Sequence, residues 1–242
     1  MISAVLHRRH AAETIGAGLL VATVVGSGIM ATTLTDNLAL ALLVNAVATV
    51  AVLGVLIWTL GPISGAHFNP AVTLVAAVRR EMPPMEAVYY IGAQLVGATL
   101  GVGLANLMFG LPAWQLSTTT RNGAGVLLGE VVATAGLIWV VGALTRTGRG
   151  HLGPVLVPAW IFAAYFFTSS TSFANPAVTW GRMLTDTFAG IAPSSAVAFV
   201  AAQLVGAAIG AGLTELFHPR PGVVPEPLDL PDPIHRPDGT DV

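Results

Sequence analysis

Two stretches, SGAHFNPAVTLVAAVRR from Ser64 to Arg80 and TSSTSFANPAVTWGRMLTD from Thr168 to Asp186, decide how this chain folds. Each contains Asn-Pro-Ala-Val-Thr, once at Asn69 and once at Asn175. Each is too short to cross a bilayer, which takes about 20 apolar residues, and too apolar for an exposed loop. Asn is a favoured helix N-cap and Pro a favoured first helical residue, so Asn69-Pro70-Ala71 and Asn175-Pro176-Ala177 read as the starts of two short helices. One Asn-Pro-Ala arises by chance about once per 10^4 positions. Two of them inside matching pentapeptides are a built feature.

The chain around them is a membrane protein by composition. Of 242 residues, 54% are hydrophobic and 9% charged, with 27 Gly, 16 Pro and a mean hydropathy of +0.77, where soluble domains carry roughly 25% charged residues. Such a chain cannot cover a water-soluble particle. The net charge of −2 and ten scattered Arg residues offer no basic field for nucleic acid. With no Cys, disulfides, thiolate metal sites and cysteine nucleophiles are excluded. No metal ligand set or cofactor motif is present in the sequence.

Six apolar runs of spanning length fall at roughly 11–34, 38–60, 86–109, 124–145, 153–170 and 193–217. The reading is an all-α membrane protein with six transmembrane helices and two re-entrant half-helices. Arg8 and Arg9, Arg79 and Arg80, and Arg146 and Arg149 fall in loops on one side of six spans, against Arg121 and Arg182 on the other. The positive-inside rule therefore predicts cytoplasmic termini. Residues 1–10 are expected to be a cytoplasmic N-terminus, 11–217 the membrane domain, and the Pro-rich, acidic 218–242 a disordered cytoplasmic tail.

The membrane domain repeats, with halves at about 11–109 and 124–217. Glu13 answers Glu130, Gln94 answers Gln203 and Asn69 answers Asn175, at offsets of 117, 109 and 106 residues. Three spans per half is an odd number, so the second half inserts upside down. The two short helices then enter from opposite faces and meet N-terminus to N-terminus near the midplane. Broken helices at membrane depth persist only where their free backbone is buried or lines a water-filled path, which makes a pore the natural reading. There each Asn oxygen caps its own helix, its amide donates into the lumen, and the converging dipoles repel cations. A central water accepting two hydrogen bonds cannot relay protons.

At this point the chain resembles the aquaporin and aquaglyceroporin family, the major intrinsic proteins. The resemblance rests on Ser64 to Thr73, Asn175 to Thr179, the intramembrane Glu13 and Glu130, and Gln94 and Gln203, and covers the chain to about His218. It implies an inverted-repeat aquaporin fold and a passive channel, not an enzyme, assembled as a homotetramer in the inner (plasma) membrane against lipid. Glu13 and Glu130 are then buried acceptors that fix the re-entrant loops, the alternative for such carboxylates being proton relay. His67 is expected to make a structural hydrogen bond inside its loop, with a pH gate as the alternative.

The same resemblance implies a filter of four positions on the outer side of the Asn pair, normally with an Arg after the second Asn-Pro-Ala. Here the four fall on Thr49, Ala163, Ser172 and Val178. This filter lacks an aromatic ring, His and Arg, and should be wide. Arg182, four residues after Val178, shares its helical face one turn further out. It is either a charge at the outer vestibule or a side chain paired with Asp186 or reaching to the interface. A similar departure marks channels encoded beside arsenic-resistance genes. Trivalent metalloids such as arsenite and methylated arsenicals are therefore the expected solutes, with general water and glycerol conduction the alternative. A coupled secondary transporter would also show inverted repeats and broken helices. An intramembrane protease would need a Ser with a His, or paired Asp, at membrane depth, and no such set is present.

Overall fold

The structure, a computed structural model, describes residues 2–220. Among them are eight α-helices: α1 (Ile2–Leu34), α2 (Leu38–Ser64), the short α3 (Pro70–Val78), α4 (Pro84–Met108), α5 (Ala124–Arg146), α6 (Gly153–Phe167) behind a 3-10 turn at Gly150–Leu152, the short α7 (Pro176–Arg182) and α8 (Pro193–Phe217). Six are long and apolar enough to cross a membrane. The chain is a multi-pass membrane protein. Its outward faces carry exposed Val55, Trp58, Val88, Leu100, Val197 and Val205, the inverse of a soluble surface.

The helices associate through small residues, as expected where lipid removes the hydrophobic drive between spans. In α4 the sequence places Gly97 and Gly101 three and seven residues after Gln94, and in α8 it places Gly206 and Gly210 at the same distances after Gln203. A Cβ on Gly101 would stand 2.1 Å from the Gly18 carbonyl oxygen of α1, and one on Gly210 2.3 Å from the Ala135 carbonyl oxygen of α5. Only glycine permits these approaches, so α1 with α4 and α5 with α8 form the two equivalent tight pairs. The short α3 and α7 fill the space between them.

Two boundaries differ from expectation for a tertiary reason. α1 begins at Ile2, so residues expected to precede the first span are helical. The added turns have tertiary partners that sequence periodicity does not show. Arg9 pairs with Glu86 at the start of α4 and lies 5.4 Å from the Tyr90 ring centroid, and His10 packs on Tyr89 and Tyr90. α6 ends at Phe167 rather than near 170 because Thr168 turns extended and Ser169 Oγ donates to the Gly125 carbonyl instead. The expected tail lies outside the described residues from 221 onward.

Candidate solute channel

The loops before α3 and α7 share one unusual backbone. Gly65, Ala66 and Phe68 have φ of 87°, 51° and 47°, and Thr171, Ser172 and Ala174, each 106 positions on, have 61°, 52° and 49°. Left-handed backbone costs about 1–2 kcal/mol at each of the five non-glycine residues. Two buried carboxylates hold it. Glu13 accepts hydrogen bonds from the Ser64 hydroxyl (2.7 Å), the backbone N–H groups of His67 (3.0 Å) and Phe68 (2.7 Å), and the Gln94 amide (2.8 Å). Glu130 accepts from Phe173 (2.8 Å) and Ala174 (2.9 Å) backbone N–H groups and from the Gln203 amide (2.6 Å). In both repeats the glutamine amide also donates to the Thr of the pentapeptide, Thr73 at 2.9 Å and Thr179 at 2.8 Å. That hydroxyl in turn donates to the carbonyl of the capping Asn.

Each Asn is an N-cap: Asn69 Oδ1 accepts from Ala71 N–H (2.9 Å) and Asn175 Oδ1 from Ala177 N–H (2.9 Å). Their amides cross over. Asn69 Nδ2 donates to the Ala174 carbonyl and Asn175 Nδ2 to the Phe68 carbonyl, both at 2.8 Å. One hydrogen of each NH2 therefore ties the two half-helices together, leaving the other for the lumen that both residues line. Pro70, Pro176, Ala71 and Ala177 are buried beside them at the junction. His67 Nδ1 lies 3.0 Å from Thr73 Oγ1, and its ring packs edge-on against Tyr90 at 5.4 Å, so this histidine is built into the loop.

A cavity of about 530 Å³ runs along this junction. One end is lined by Arg9, Arg79, Thr145 and Gly150, on the face where α2, α3 and α5 end, and the other by Thr49, Tyr165, Ser172, Phe173, Val178 and Arg182. Three expected filter positions, Thr49, Ser172 and Val178, stand together on that wall. Ala163 does not. It is exposed on the outward face of α6, which turns Ile161 and Tyr165 to the lumen instead. Counting back from Asn175 fails here because the intervening loop alternates in handedness and α6 stops early. This end of the cavity also has aromatic lining, which the sequence reading did not expect: Tyr165 donates to Thr49 Oγ1 at 3.4 Å, and Phe173 borders the cavity. Ser172 Oγ is buried on this wall, in a residue 3% exposed, and has no hydrogen-bond partner among the described residues.

Arg182 neither pairs with Asp186 nor reaches to an interface. It is 4% exposed, its Nε donates to the Ala189 carbonyl, and its guanidinium lies 3.4 Å from the Phe173 ring centroid. Asp186 is occupied elsewhere, accepting from the Thr118 backbone N–H (2.8 Å) and hydroxyl (3.0 Å). Those bonds hold its pKa below the ordinary aspartate value. They also pin the extended segment before α5 to the segment after α7, where Ser117 N–H and Gln115 N–H donate to the Met183 and Leu184 carbonyls.

Sequence reasoning missed Tyr165, Phe173, Thr73 and Thr179. The two Thr had a signal, since each closes the repeated pentapeptide four residues after its Asn. The two aromatic residues had none, because their orientation depends on how loop and helix meet.

The profile of the family described as Major intrinsic protein matches residues 1–174. An aquaglyceroporin of Rhizobium meliloti (strain 1021), AqpS, is 51% identical over 202 residues, covering 84% of this chain and 86% of that protein. Aquaporin NIP1-1 of Zea mays is 34% identical over 163 residues, covering 65% of this chain and 56% of the maize protein, so that match spans little more than half the relative's length. The solved aquaglyceroporin of Plasmodium falciparum superposes with a TM-score of 0.65 over 88% of this chain and 96% of its own, at 18% identity, which is a likeness of fold. Opposed half-helices joined at two Asn side chains, around a lined cavity, agree with both results: the chain belongs to the major intrinsic protein family, whose members are passive membrane channels for small solutes and not enzymes.

Proposed function

We propose that this channel conducts small uncharged polyhydroxylated solutes, with trivalent metalloids such as arsenite and methylated arsenicals as its main cargo. The observation that carries this is the wall at Thr49, Ser172 and Val178. Ser172 Oγ is a buried hydroxyl on the cavity without a hydrogen-bond partner among the described residues, Thr49 lines the same cavity, and Val178 with Ile161 and Leu53 supplies an apolar face. A buried polar group without a partner is costly unless something passing binds it. Arsenous acid at neutral pH is uncharged and presents three hydroxyl groups much as glycerol does, and a methylated form adds an apolar side to meet Val178. Asn69 and Asn175 supply the central donors.

A second reading, general conduction of water and glycerol, is favoured by the relatives whose names say aquaglyceroporin. Both readings place the protein as a homotetramer in the inner membrane, with its termini on the cytoplasmic side where the cavity mouth carries Arg9 and Arg79. Stopped-flow swelling and uptake in proteoliposomes, with water, glycerol, arsenite and methylarsenite, separates them. Arsenite and methylarsenite should enter at least as fast as glycerol. Fast water and glycerol with slow arsenicals would replace the first reading by the second, and uphill accumulation would remove both in favour of a coupled transporter.

A further inference from the structure

At the outer end of the cavity two guanidinium groups share one aromatic ring. Arg182 lies 3.4 Å and Arg121 5.3 Å from the Phe173 centroid. Both are tethered by backbone carbonyls rather than carboxylates: Arg182 Nε to Ala189, Arg121 Nε to Gly190 at 2.9 Å and Arg121 Nη2 to Phe188 at 3.2 Å. Neither takes part in the salt bridges seen among the described residues, which join Arg9 to Glu86 and Arg79 and Arg146 to Glu215. The nearby carboxylates are committed, Asp186 to Thr118 and Glu130 to the Phe173 and Ala174 backbone. Two cations without a salt-bridge partner among the described residues thus stand where the lumen is lined by Thr49, Ser172 and Val178. Arg182 is itself part of that lining, and the hydrogen bond that tethers its guanidinium runs through Nε to the Ala189 carbonyl.

We propose that Arg182 is the specificity-determining cation of this channel: carried one helical turn beyond Val178 and laid on Phe173, it donates through its Nη groups to the passing solute and excludes protons and metal cations. Phe173 fixes the guanidinium plane, the Ala189 carbonyl fixes its Nε, and Arg121 behind the same ring adds to the positive potential. Val178 keeps the wall next to the Asn pair apolar and wide. Donor and cation are thereby separated from the apolar wall at Val178, which lets a solute larger than water pass without losing the electrostatic barrier. This rests on the channel reading and is independent of which neutral solute is carried.

The test uses the full chain in proteoliposomes, reading glycerol swelling in parallel with proton and sodium leak under an imposed potential. Wild-type glycerol swelling tests the channel itself, whereas leak tests Arg182. Removing a unit charge from a partly dry site should raise cation leak on the order of a hundredfold in Arg182→Gln. Arg182→Lys, which keeps the charge, should stay near wild-type tightness. A Gln variant that passes glycerol and is as tight as wild type overturns the proposal, as does a Lys variant as leaky as Gln. Loss of glycerol flux in both also overturns it, because Arg182 then serves the fold rather than selection.

Discussion

Replacing Glu130 by Gln changes a single atom type and removes one charge, yet it strikes the element that shapes the Thr49 end of the channel. The carboxylate takes the N–H groups of Phe173 and Ala174 and the Gln203 amide at 2.8, 2.9 and 2.6 Å, with the Ser170 hydroxyl as a further donor. A glutamine offers one acceptor oxygen and turns its NH2 toward another donor. At least one buried N–H is then orphaned, at about 1–3 kcal/mol, and the surviving bonds lose charge assistance worth about 1 kcal/mol each. The loss is about 3–5 kcal/mol. It falls where Thr171, Ser172 and Ala174 already hold left-handed backbone. In detergent or nanodiscs the variant should melt about 10 °C below wild type, and whatever protein folds should keep the wild-type ratio of glycerol to water flux. Glu13→Gln should be comparably damaging, since Glu13 takes the matching set of donors from Ser64, His67, Phe68 and Gln94. A Glu130→Gln protein that melted with wild type and conducted nothing would refute the clamp and give the carboxylate a direct role in transport.

Three further outcomes are expected. Gly101→Ala would set a Cβ 2.1 Å from the Gly18 carbonyl and should cost about 2 kcal/mol or more by prising α1 from α4, whereas Gly92→Ala meets nothing within 4 Å and should melt like wild type. Thermal melts of the two in the same detergent check this. Thr49→Phe combined with Val178→Arg would narrow the wall and add a third cation to Arg182 and Arg121, so arsenite and glycerol flux should fall steeply while water flux survives; unaltered arsenite uptake would count against the filter proposed above. The Asp186 carboxyl has a folded pKa below its unfolded value, so the Asp186–Thr118 clasp is fully present above the ordinary aspartate range and is lost as pH falls through the lowered folded value. Amide exchange at Thr118, corrected for its intrinsic pH dependence, should show the clasp opening on acidification, and Asp186→Asn should abolish that dependence.

What the sequence determined by itself was everything carried by repetition and by hydropathy. Six apolar runs gave six spans, because lipid demands continuous apolar length and backbone that is satisfied within each segment. The doubled Asn-Pro-Ala-Val-Thr gave two capped half-helices, since capping is local chemistry between neighbouring residues. An odd number of spans per half gave their opposed directions. Glu13, Glu130, Gln94 and Gln203 stood out because polar groups inside apolar runs must find partners, and the structure supplies those partners from the two loops.

The tertiary structure alone decided which side chains face the lumen. A helix position can be counted forward from a cap, and Val178 lies on the cavity wall, but counting across the left-handed loop into α6 gave Ala163 where the fold turns Ile161 and Tyr165 inward. Arg182 shows the same limit. Its spacing allowed a partner at Asp186, and only the packed structure brings Thr118 to Asp186 from far along the chain and Phe173 and Ala189 to Arg182. Caps, spans and repeats are settled by neighbours in sequence, whereas the wall of a channel is settled by where separate segments meet.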